Sequence, residues 1–137
     1  MVSLRNLFAA GFLILAGLCN GTMDSLQFHY PATVFSNPKR FDQRFWNPAE
    51  SWKNKYRNGD VKQGEAFPFS STALVFTTDG WHLFKFLMLK FFLLAVVVCQ
   101  PMSRRLGHEG WQVWAGNSAA FVVAHLCFQL GFKIAYV

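Results

Sequence analysis

The sequence predicts an all-α integral membrane protein, a single domain over residues 1–137 with three transmembrane helices and a long extramembrane loop that contains a short interfacial helix. Three observations predict it. Hydrophobic residues make up 53% of the chain, aromatics 18% and charged residues only 15%, too apolar a balance for an ordinary soluble domain of this length. The apolar residues also fall in blocks, Leu7 to Leu18, Leu83 to Cys99 and Trp111 to Tyr136, rather than at the period of a half-buried helix or strand. Between the first two blocks the character changes: Pro31, Pro38, Pro48 and Pro68 and most of the charges lie there.

The first helix is expected over about residues 5–24. Its clean apolar core is short enough for the h-region of a signal peptide, and Cys19, Asn20 and Gly21 offer small residues near a cleavage point. A retained helix is the preferred reading, because Thr22 and Met23 extend the run toward the roughly 20 residues a bilayer needs.

The loop is expected over 25–79, and in it "NPAESWKNKYRNG" carries the punctuation of a short helix. Asn47 is the N-cap, Pro48 occupies the first turn where its missing N–H costs nothing, Glu50 stands at the capping-box position and Asn58-Gly59 supplies the stop. Trp52 and Tyr56, four apart, share a face of it. Such a helix suits a membrane surface, and Trp46, Trp52, Tyr56 and Trp81 are the expected interface aromatics; a loop helix packed on its own protein is the alternative.

The second helix is expected over about 80–100, stopped by Pro101, with two alternative starts: a cap at Ser70 or Ser71, or a break at Gly80. The third runs over about 111–136. In it Gly116 and Ala120 have small-x-x-x-small spacing, which lets helix backbones approach, and Asn117 offers an interhelical hydrogen bond. The expected contact is with the chain's own helices or with an oligomer mate or partner subunit.

Arg5 ahead of the first helix and Arg104 and Arg105 after the second favour a cytoplasmic N-terminus. Lys39, Arg40, Arg44, Lys53, Lys55, Arg57 and Lys62 argue the other way but lie mostly far from helix ends.

Three alternating helices bring one set of polar residues toward the loop side: Asp24, His29, Asp79, His82, Lys85 and Lys90, joined by His125 and Gln129. Asp79 and His82, three apart, are neighbours on a helix and are expected to hydrogen bond. An isolated Lys at a helix centre costs about 2.5–3.5 kcal/mol on insertion scales, so Lys90 needs an acid, Asp79 or Asp24, bound water, or a route to the interface. His29, His82 and His125 with two aspartates are also the raw material of a metal site, and in residue type this set is similar to membrane hydrolases of the alkaline-ceramidase and adiponectin-receptor type. No His-x-x-x-His or His-Glu-x-x-His spacing supports it, so no metal and no cofactor is expected.

The basic balance, +6, has no compact run or nucleic-acid motif behind it, so nucleic acid is not an expected partner. Cys19, Cys99 and Cys127 sit in apolar segments and are odd in number, which implies no disulfide framework. The expected partners are the lipid bilayer and a protein partner or second copy. The stretch from Phe45 to Leu83, with "NPAESWKNKY" and "TDGWH", resembles small uncharacterised integral membrane proteins of bacteria that carry the same NP-x-x-SW-x-NKY and TDGWH phrases. The resemblance implies a bacterial inner-membrane protein of unassigned activity and carries over no catalytic residue. The expected function is an accessory or interaction subunit of a membrane assembly. The alternatives are a membrane-embedded hydrolase that uses the Asp/His cluster, and a small oligomeric transporter or channel.

Overall fold

A computed structural model describes residues 4–98 and 111–136, the side chains of 111–115 excepted. Arg104, Arg105 and Pro101, on which the expected orientation and helix stop rest, lie outside the described residues. Every element is helical: α1 (Leu4–Phe28), α2 (Gln43–Trp46), α3 (Pro48–Ser51), α4 (Gly80–Val98) and α5 (Trp111–Ala135), with short 3-10 turns through the loop. The described residues contain no strand, only an isolated antiparallel bridge between Tyr56 and Glu65. In α1, α4 and α5 the chain has three helices long and apolar enough to cross a membrane.

The core runs along α1, which packs against both α4 and α5. Its buried residues divide by helical period into two stripes. Ala16, Cys19, Met23 and Leu26 form one, on the same side as Phe12, whose ring stacks on Phe91 of α4 at 6.3 Å between centroids. Gly17, Gly21 and Ser25, spaced by four, form the other and meet α5. A Cβ on Gly17 would stand 2.0 Å from the Phe128 carbonyl oxygen, and one on Gly131 would stand 2.0 Å from the Ile14 carbonyl oxygen. The two backbones therefore touch, which only glycine allows. Residues 14–21 of α1 run alongside 128–136 of α5 in the same direction, so α1 and α5 are parallel, and α4 returns along the other stripe of α1.

Three expectations change. The contact with α5 is made by Gly17, Gly21 and Gly131, not by Gly116, Asn117 and Ala120: Gly116 has nothing within 4 Å of its would-be Cβ, and Asn117 and Ala120 are exposed. The first helix runs on past Asp24 to Phe28 because Ser25, which donates to the Ala135 carbonyl oxygen at 3.2 Å, keeps its last turn docked on α5. The loop helix is one turn, α3, followed by a 3-10 turn at Trp52–Lys55. Asn47 caps it through the Ala49 N–H at 3.1 Å, but its own N–H donates to the Gln43 carbonyl oxygen that ends α2, so no capping box with Glu50 forms.

Candidate functional site at the loop end of the bundle

The start of α4 is set by one residue. Asp79 is the N-cap: its Oδ1 accepts the main-chain N–H of His82 at 2.9 Å, satisfying one of the orphan donors of the first turn. Its Oδ2 lies 2.7 Å from Nδ1 of the same His82. A carboxylate can only accept there, so Nδ1 carries the proton and Nε2 is left as the acceptor nitrogen of the ring. The Thr78 hydroxyl donates to the Val75 carbonyl oxygen at 2.7 Å and lies 3.3 Å from Oδ2. Asp79 is 2% exposed, while the imidazole side chain of His82 is 25% exposed. The carboxylate is thus an internal fixture, and the imidazole it orients is the part that meets the surroundings.

The loop fastens this cap from above. The edge of the Trp46 indole lies against Gly80, so close that a Cβ there would stand 2.4 Å from a ring carbon. The same indole stacks on Phe35 at 4.2 Å, and Phe84 of α4 packs against both rings. Asn54 donates from its Nδ2 to the Thr78 carbonyl oxygen at 2.8 Å and to that of Arg44 at 2.6 Å, tying the segment after α3 both to the cap and to α2. The "NPAESWKNKY" and "TDGWH" segments are therefore one docked unit. Trp46 packs as part of it, half-buried.

Further along the loop, the Ser70 hydroxyl donates to the Lys55 carbonyl oxygen at 2.7 Å, and the Ala66 N–H donates to that oxygen at 3.0 Å. Glu65 accepts from the Phe69 N–H at 3.0 Å, the Ser71 N–H at 3.3 Å and the Ser71 hydroxyl. The Ser71 hydroxyl chiefly, with those two N–H groups, holds the Glu65 carboxyl below its ordinary value against a smaller opposing effect of desolvation. Burial pushes the Tyr30 phenol up, against its hydrogen bond with Gln43 at 2.5 Å, with a smaller upward contribution from Glu50.

The other polar residues expected here do not join Asp79 and His82. His29, just past α1, pairs its Nε2 with the Tyr136 hydroxyl at 2.9 Å and meets that ring edge-on, closing the end of α5 onto the end of α1. Asp24 is half-buried in the last turns of α1. His125 is exposed and Gln129 half-buried on α5; His125 is ten residues short of Ala135, about 15 Å down the helix. That depth separates it from His29 and His82, and among the described residues no three His, Cys, Asp or Glu side chains stand close enough to hold a metal.

Of the alternatives open to Lys90, the pairing with Asp79 falls away. It is exposed, eleven residues beyond Asp79 and so about 16 Å along the helix, out of reach of that carboxylate. Its ammonium sits 4.9 Å over the Phe86 ring one turn back, as that of Lys85 sits 5.0 Å over Trp81. The one ion pair between described residues is that of His82 with Asp79.

Trp52 is exposed and donates from Nε1 to the Ala49 carbonyl oxygen at 3.2 Å, with Tyr56 edge-on at 6.4 Å. The roles of Gly80, Asn54 and Trp46 are absent from the sequence reading above. Their only signal was the phrasing itself, a glycine at a helix N-terminus and an Asn far from any cap. Comparison of the chain with protein families, with curated proteins and with solved structures gives no match.

Proposed function

We propose that the chain is an accessory or interaction subunit of a membrane assembly, in a bacterial inner membrane with its N-terminus cytoplasmic. The observation that carries the reading is the outward face of α5. Asn117, Ser118 and His125 lie exposed on a helix apolar enough to span, where α1 covers only the far half. In hydrocarbon an amide, a hydroxyl and an imidazole each need a hydrogen-bonding partner, and another subunit supplies one where lipid does not. The polar chemistry at the loop end supports the same reading, because Asp79 is consumed in capping α4 and fixing His82.

The test is the native mass of the full chain extracted from its own membranes in a mild detergent. The reading expects a complex heavier than a single chain. A homogeneous single chain at every detergent concentration refutes it. The orientation rests on Arg5, Arg104 and Arg105, and reporter fusions at Gly59 and Gly107 should fall on opposite sides, Gly107 inside.

The membrane-hydrolase reading keeps one observation in its favour: a partly exposed imidazole held through Nδ1 by a buried carboxylate is the orienting half of a general base. It requires a substrate-dependent activity that His82→Gln abolishes without loss of fold.

A further inference from the structure

Lys90 is the group in this fold with the least to explain it. It is the eleventh of the 19 residues of α4, a helix about 28 Å long against a hydrocarbon layer of about 30 Å. Its Cα therefore lies about 15 Å from Gly80, near mid-span. The stem does turn toward the loop side, over Phe86. Extended fully it reaches on the order of 6 Å, which leaves the ammonium about 9 Å below the start of the helix. An ammonium at that depth requires a counter-charge or water.

Among the described residues no acid stands at the depth of Lys90. The stacking of Phe91 on Phe12 and of Phe92 on Phe128 puts Lys90 level with the first half of α1 and the second half of α5. Asp24 and Asp79 belong to the loop-side ends of α1 and α4, four further acids lie between residues 42 and 65, and Glu109 falls between α4 and α5 in sequence. A second copy aligned side by side brings the same apolar side chains and Gln129 to that level, so it cannot neutralise the ammonium. The surroundings of Lys90 are those of a helix-docking face: Leu93, Leu94 and Val97 follow it at three, four and seven residues and are exposed.

The geometry points to this face of α4 as the docking surface for a membrane-spanning helix of a different polypeptide, one that carries an Asp or Glu side chain at mid-span to pair with Lys90. The inference rests on the accessory-subunit reading and names the chemistry of its partner. Carboxylate and ammonium, each costly alone in hydrocarbon, then enter as a neutral pair, so each subunit is held in the membrane by the other.

The experiment uses the full chain in its own membranes, with a photocrosslinking residue at Leu93 on α4 or, separately, at Phe121 on α5. From Leu93 the expected product is a crosslink to a spanning segment of another polypeptide with an Asp or Glu at mid-span. Its yield should fall at least tenfold with Lys90→Met and with the partner's acid changed to its amide, and return when the two charges are exchanged. The amide variant leaves this chain untouched, so the test holds even where Lys90→Met fails to accumulate. Crosslinks from Leu93 to lipid alone, to a second copy or to a segment without a carboxylate overturn the inference, as does a yield indifferent to both substitutions. Crosslinks from Phe121 alone remove this surface and leave the subunit reading standing. No crosslink to another polypeptide from either position removes both.

Discussion

Two glycines of α1, six residues apart, make a matched pair for testing the packing of α1 against α5. A Cβ on Gly17 would stand 2.0 Å from the Phe128 carbonyl oxygen, 2.8 Å from the Phe132 nitrogen and 2.9 Å from the Phe128 carbonyl carbon, all backbone atoms that cannot rotate away. Ordinary contact begins at 3.4 Å, so the helices must part by more than an ångström. A Cβ on Gly11 meets nothing within 4 Å. Either Gly→Ala change gains about 0.8–1.0 kcal/mol of helix propensity, and that gain cancels when the two variants are compared. What remains is the overpacking at Gly17, for which about 1–3 kcal/mol is typical. Three rigid atoms place it in the upper half, so Gly17→Ala should be about 2–3 kcal/mol less stable than Gly11→Ala. Denaturant titration in detergent micelles, followed by far-UV circular dichroism, reads the difference. Gly131→Ala should resemble Gly17→Ala, and the double variant should cost less than the sum, since helices already parted have room for the second methyl. Equal stability of the Gly11 and Gly17 variants would show that α1 and α5 do not touch at Gly17.

Three further outcomes follow from the loop end. Asp79→Ala removes both the cap and the partner of His82, a loss of about 2–4 kcal/mol, whereas Asp79→Asn keeps the cap and should lose clearly less; equal losses in thermal unfolding would mean that the cap bond contributes nothing. Glu65 has a depressed folded pKa, so its contribution is fully present above the ordinary carboxylate value and is lost as pH falls through the lower folded value. Hydrogen-exchange protection at the Phe69 and Ser71 amides, corrected for intrinsic rate, should therefore fall on acidification from pH 5 to below the carboxylate range, and Glu65→Gln should flatten that dependence. If the exposed Trp52 ring lies on a membrane surface, lipids brominated near the headgroup should quench its fluorescence in liposomes, and quenching by aqueous iodide alone would place it in water.

The sequence by itself determined what local chemistry and period determine. Three apolar runs of sufficient length became α1, α4 and α5, each long and apolar enough to cross a membrane, and a helix satisfies its backbone groups within its own segment. The three-residue spacing of Asp79 and His82 carried their hydrogen bond, since an N-cap and the residue three after it are neighbours whatever the rest of the fold does. Of the two starts open to α4, the tertiary structure takes the one at Gly80. Tertiary structure alone decided which small residues meet. Gly17-x-x-x-Gly21 and Gly116-x-x-x-Ala120 carry the same local signal, and the choice between them falls to the shapes of helices more than 80 residues apart in the chain. It also cut the loop helix to one turn, where Asn54 is drawn to Thr78 and Trp46 to Gly80, and it left Lys90 about 16 Å from Asp79, although eleven residues of helical period put the two on nearly the same face. Period fixes direction around a helix, but eleven residues of rise set the distance, and a charge pair depends on distance.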